Sequence, residues 1–235
     1  MSEFQVYPHP DSLAQAAAEQ IVDLAATAIA EREWFIVALA GGSTHRPTYE
    51  RLAADPLASR VDWAHVQVFW GDERSVPPDH PDSNYRMARE ALLDHVPIPE
   101  ANIHRIRGEV VPDWAASSYE MELEKVLGLT GRFDLVLLGI GADGHTASLF
   151  PGTKVLEEQE YAVDAVHLGG ERGWRVTLTL PVINAARRVM FLVTGAEKAE
   201  ALARIRAGEM LPAARVQPGD GELVWLVDRD ALPEA

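Results

Sequence analysis

Along this chain, continuous apolar runs alternate with stretches in which apolar residues recur every three to four positions. Leu13, Ala17, Ile21, Leu24 and Ala28 form such a series after Ser12 and Gln15, whose spacing matches a capping box, so an amphipathic first helix is expected from Ser12. Trp34 to Ala40 then reads as a strand covered on both faces, and Arg46 to Ala54 as a helix with Pro47 in its first turn. The alternation continues with a strand at Val66 to Trp70 and a helix from Asn84 to about His95, capped by Ser83 and ended by Pro97 and Pro99. A further helix runs from Asp113 to Leu127 and stops at Gly128. Phe133 to Leu138 is another apolar run, and Tyr161 to Leu168 and Arg175 to Leu180 read as strands, the second strictly alternating. Arg188 to Thr194 is a strand, Ala196 to Ala207 a helix, and Leu223 to Val227 a last strand. Strands that alternate with helices imply crossover connections. The expected class is α/β: an open, doubly wound, mostly parallel sheet with helices on both faces, in one domain spanning residues 1–235.

The chemistry follows the strands. After Trp34 to Ala40 comes Gly41-Gly42-Ser43-Thr44, a small-residue loop opening a helix, and this order suits an anion because backbone N–H groups and two hydroxyls face one place. After Val66 to Trp70 comes Gly71-Asp72-Glu73-Arg74, where carboxylates beside an arginine suit proton transfer or oxyanion stabilisation, although a charged solvated turn has the same composition. After Phe133 to Leu138 comes Gly139-Ile140-Gly141-Ala142-Asp143-Gly144-His145. Its glycines let the main chain turn sharply and present Asp143 and His145 at a strand's carboxyl end, where a histidine can take a proton from water. A core histidine is the alternative reading. The same turn satisfies G-x-G-x-x-G, with Asp164 twenty residues beyond its last glycine, but Pro151-Gly152 follows too soon for the long helix of a dinucleotide site.

Composition narrows the partners. The 235 residues carry a formal net charge of -15, which opposes nucleic acid and anionic membranes, so an anionic ligand must meet local cations such as Arg175 and Lys198. No apolar run approaches the roughly 20 residues of a membrane span, and the N-terminus lacks a secretion signal, giving a cytoplasmic expectation. The absence of cysteine excludes disulfides and agrees with a reducing compartment. His9, His45, His65, His80, His95, His104 and His167 show no paired ligand spacing, so no metal site is expected. None of these patterns encodes an oligomeric state.

Five ordered segments carry a family resemblance across nearly the whole chain. They are AGGSTHRPTYERL from Ala40, VQVFWGDERSVPPDHPDSNYRMAREALL from Val66, FDLVLLGIGADGHTASLFPG from Phe133, RVTLTLPVINAARRVMFLVTGAEKAEAL from Arg175, and WLVDR from Trp225. The chain resembles the 6-phosphogluconolactonases. That resemblance implies the open, Rossmann-like α/β fold shared with glucosamine-6-phosphate deaminases, no metal or organic cofactor, and a phosphorylated sugar lactone as the small-molecule partner. It implies His145 as the general base, supported by Asp143, with Asp72 and Arg74 against the sugar and the developing charge. Gly42, Ser43, Thr44, Arg175 and Lys198 are implied as the phosphate site. His45 departs from the proline common after GGST in this family. The deaminases are a competing reading, but they place a glutamate five residues after the histidine, where this chain has Phe150, and an aromatic ring cannot relay protons. A sugar-phosphate sensor without catalysis is a third reading.

Overall fold

The computed structural model describes residues 3–128 and 131–232. Among them, six strands form one sheet: β1 (Glu3–Tyr7), β2 (Phe35–Leu39), β3 (Val66–Trp70), β5 (Leu135–Leu138), β8 (Arg188–Val193) and β9 (Glu222–Asp228). The spatial order is β1-β9-β8-β5-β2-β3, and every pairing is parallel. Their apolar runs explain the placement, since β5 is buried along its whole length and β2 and β3 nearly so.

Six helices complete the alternation: α1 (Pro10–Arg32), α2 (Arg46–Leu52), α3 (Asn84–Ala91), α4 (Pro112–Leu127), α5 (Leu180–Asn184) and α6 (Ala199–Arg206), counted among the described residues. The chain steps from β1 to β2 and on to β3 in one direction, carrying α1 and α2, then returns through β5, β8 and β9, carrying α4 and α6. Right-handed crossovers therefore place the two sets on opposite faces, which is the doubly wound arrangement. At neighbouring β2 and β5 the chain leaves in opposite directions. The connections leaving their carboxyl ends thus diverge and open a crevice at the switch point. Beneath it the core is contiguous, with the Phe191 and Trp225 rings stacked at 3.8 Å and Phe4 stacked on Trp225 at 5.6 Å.

Three features differ from the sequence reading. The strands expected at Tyr161 to Leu168 and Arg175 to Leu180 do not join the main sheet; as β6 (Val163–His167) and β7 (Trp174–Leu178) they form a separate antiparallel sheet with β4 (Asp72–Arg74). Leu180 begins α5 instead of ending a strand. The strict alternation of β7 fits an antiparallel ladder with one open face. The first helix starts earlier than Ser12, at Pro10, because His9 is the cap: its ring accepts from the Ser12 N–H at 3.2 Å and its own N–H reaches the Ser12 hydroxyl. Gln15 bonds Glu19 one turn on and has no part in the cap. Finally, β1 is an added edge strand whose EFQVY sequence has no continuous apolar run, and among the described residues it pairs with β9 alone.

Candidate active site

The crevice above β2 and β5 is a cleft of about 240 Å³, and Gly42, Ser43, Thr44, Asp72, Arg74, His145 and Lys198 all line it. Two expected residues do not. Asp143 reaches the cleft only through His145, while Arg175 lies outside the wall, on β7, opposite Arg74 in the β4 ladder. Burial, and after it repulsion from Arg74, pulls the Arg175 guanidinium below its ordinary pKa.

His145 is held by the turn that the glycines permit. Its Nδ1 lies 2.5 Å from Asp143 Oδ1, which also accepts from the His145 backbone N–H at 3.1 Å. Burial pushes the Asp143 carboxyl up, but the bonds from the His145 ring and backbone outweigh it, and the net pKa falls below the ordinary carboxylate value. A carboxylate acceptor at Nδ1 selects the tautomer with its proton there, so Nε2 carries the lone pair. No group among the described residues bonds Nε2. Gly141 is needed beneath this pair, since a Cβ there lies 2.0 Å from His145 Nδ1 and 2.7 Å from Asp143 Oδ1. On the imidazole's other side Phe150 stacks at 3.9 Å, with the Arg172 guanidinium 5.5 Å from the Phe150 ring centre. No α-helix opens from this turn: Thr146 bridges to Leu149, the Phe150 carbonyl accepts from the Thr153 N–H in a further turn, and a 3-10 helix of four residues, Lys154–Glu157, comes next. The dinucleotide geometry is therefore missing.

Across the cleft, Thr44 Oγ1 lies 3.1 Å from Thr194 Oγ1 and ties the small-residue loop to the end of β8. A Cβ at Gly41 would lie 1.9 Å from Asn84 Oδ1, so a side chain there would displace the amide that bonds Asp72. The helix after the loop, α2, has only seven residues, so the loop's hydroxyls and N–H groups with Lys198 are the groups here with the chemistry to attract an anion. Lys198 sits at the start of α6, with Glu197 Oε1 3.9 Å from its Nζ. Asp228 of the WLVDR segment accepts from Gly195 N–H at 3.1 Å and anchors the turn that delivers Lys198.

Several contributors escaped the sequence reading. Glu197 and Asn84 line the cleft. Glu73, read from sequence with Asp72 as a carboxylate suited to proton transfer, does not: its buried carboxylate accepts from the backbone N–H groups of Arg74, Asn84 and Tyr85 and from the Ser83 hydroxyl, capping α3. Burial raises the Glu73 pKa against the lowering effect of those four bonds. His45, read only as a departure, is enclosed beneath the loop; its ring lies against the Leu138 and Gly41 backbone, yet neither nitrogen finds a hydrogen bond of good geometry. Burial, only partly offset by that backbone, depresses its pKa from 6.5 to about 4. Among the described residues no group of three or more His, Cys, Asp or Glu side chains is arranged to hold a metal ion.

An open α/β sheet with a hydroxyl-bearing glycine loop and a histidine–carboxylate pair facing each other across its switch point has the layout in which open sheets receive small ligands at strand ends. Residues 8–225 match the family described as glucosamine-6-phosphate isomerases/6-phosphogluconolactonase, and the chain belongs to that family. It is 48% identical over 213 residues to the 6-phosphogluconolactonase of Synechocystis sp., covering 87% of this chain and 86% of that protein. It is 42% identical over 239 residues to the 6-phosphogluconolactonase of Nostoc sp., covering 98% and 97% of the two chains. The crystal structure of 6-phosphogluconolactonase from Thermotoga maritima superposes with a TM-score of 0.86 at 30% identity, covering 97% of this chain and 100% of that one. No helix among the described residues is long and apolar enough to cross a membrane.

Proposed function

We propose that this protein is a 6-phosphogluconolactonase that hydrolyses 6-phospho-D-glucono-1,5-lactone to 6-phospho-D-gluconate, in the cytoplasm, as a step of the oxidative pentose phosphate pathway. The names of its relatives support this substrate. Family membership alone leaves two chemistries open, because the family description covers isomerases as well as lactonases. The observation that favours the lactonase is the Phe150 ring stacked on the His145 imidazole at 3.9 Å. The deaminases that the chain resembles place a glutamate at that position for a ring-opening proton relay, whereas ester hydrolysis needs a base, water and an electrophilic carbonyl.

In the proposed reaction, the Gly42-Ser43-Thr44 loop and Lys198 hold the phosphate, with Arg175 contributing positive potential from the second sheet. His145 Nε2 takes a proton from water as the oxygen adds to the lactone carbonyl, and Asp143 steadies the imidazolium. Arg74 faces the charge that develops on the carbonyl oxygen, and Asp72 accepts a bond from a sugar hydroxyl. Collapse of the tetrahedral intermediate breaks the bond from the carbonyl carbon to the ring oxygen, which leaves and takes up a proton. Purified protein should hydrolyse the lactone faster than its spontaneous background and leave glucosamine 6-phosphate unchanged. Release of ammonia from glucosamine 6-phosphate identifies a deaminase, and phosphate-dependent binding of the lactone without turnover identifies a sensor.

A further inference from the structure

The Asp72 carboxylate does not stand free at the cleft. Its Oδ2 accepts from the Ser148 hydroxyl at 2.6 Å, and Oδ1 accepts from Asn84 Nδ2 at 3.1 Å, with the same amide bonding the Asp72 carbonyl at 2.8 Å. Ser148 is 1% exposed and belongs to the turn that carries His145. Its backbone N–H donates to Thr177 Oγ1 at 3.2 Å, and Thr177 is the residue paired with Asp72 across the β4–β7 ladder. Both the side chain and the main chain of Ser148 are therefore tied to the second sheet. Between Ser148 and His145 the backbone is strained: Ala147, a cleft residue, has φ 46, in the left-handed region that side chains disfavour. The turn around it is pinned on the other side by Thr146 Oγ1, which donates to the Gly139 carbonyl at 2.8 Å. A strained residue keeps its geometry only where neighbours over-determine it.

We infer that Ser148 is a positioning residue whose buried hydroxyl fixes the Asp72 carboxylate relative to His145, so that one side chain sets the separation of base and carboxylate across the cleft. The inference rests on the reading of His145 and Asp72 as parts of one hydrolytic site. Asn84 holds the second oxygen from the start of α3, which restricts carboxylate rotation without linking it to the histidine turn. The function of the second sheet follows: it carries Asp72 on β4 and Thr177 on β7, and Ser148 locks the two to the turn that follows β5 and carries His145.

A double-mutant cycle with the lactone tests this. Ser148→Ala should lower kcat roughly ten- to hundredfold, the scale of a substrate displaced by about 1 Å from the base, with a much smaller change in KM. Once Asp72→Ala is present, adding Ser148→Ala should cost nothing further. Ser148→Cys, which keeps a weaker donor in similar volume, should give an intermediate rate, and it supplies the same comparison if the alanine variant does not fold. Additive losses in the cycle, or full activity in Ser148→Ala, overturn the inference and leave the lactonase reading intact. A wild-type rate equal to spontaneous hydrolysis overturns that reading and this inference with it.

Discussion

His45 pairs full enclosure with two ring nitrogens that lack partners, and this has a consequence for stability. The folded chain keeps the ring neutral down to about pH 4, whereas an unfolded chain protonates it near 6.5. Because the folded-state value is the depressed one, stability is intact above pH 6.5 and falls as pH drops from there to about 4, by on the order of 3 kcal/mol. His45→Leu should therefore narrow the gap between urea midpoints at pH 7.5 and pH 5, and an unchanged gap contradicts this account of the burial. Lys198 makes a different prediction, since it holds charge and not fold. Lys198→Ala should raise KM about ten- to hundredfold, the worth of one charge-assisted bond, with kcat less affected. An unaltered KM removes Lys198 from the phosphate site. At this scale Asp143 and His145 were legible because they share one glycine turn. Ser148 and Asn84 were not, since their bond to Asp72 spans 76 and 12 residues of sequence and leaves no local signal.

The elements explain why the charged triplet after β3 divides its labour. Alternation along the short β4 strand points Asp72 and Arg74 to the cleft and Glu73 to the opposite side, where α3 begins. Two carboxylates that look equivalent in Gly71-Asp72-Glu73-Arg74 thus do unlike work. Glu73→Ala leaves three backbone N–H groups and the Ser83 hydroxyl without their acceptor, and should cost at least roughly 3 kcal/mol in chemical denaturation. A variant of normal stability that merely loses turnover contradicts the capping role. The main-sheet strands were readable because their continuous apolar runs admit only a buried setting. The second sheet was misplaced because alternation announces a strand but says nothing about which sheet it joins, and β1 was missed because an edge strand needs little apolar sequence.

Over the whole molecule, a formal net charge of -15 surrounds a cleft that contains Arg74 and Lys198, with Arg175 beside it. Distant carboxylates repel a phosphorylated substrate only within a Debye length of about 8 Å at physiological salt, while the cleft's cations act at contact. Strand order completes the site, because the loops after β2 and β5 face each other only when those strands are neighbours that wind in opposite directions. The same alternation of strands and helices fits other orders, so the sequence pattern supplied the parts of the cleft and the resemblance to a family supplied their convergence. In the proposed reaction His145, oriented by Asp143, activates water against the lactone. The direct measurement is the rate of 6-phospho-D-glucono-1,5-lactone hydrolysis by His145→Ala, corrected for spontaneous opening and accompanied by a thermal melt. A folded variant should lose about a hundred- to ten-thousandfold in kcat; a folded variant with the wild-type rate contradicts the account.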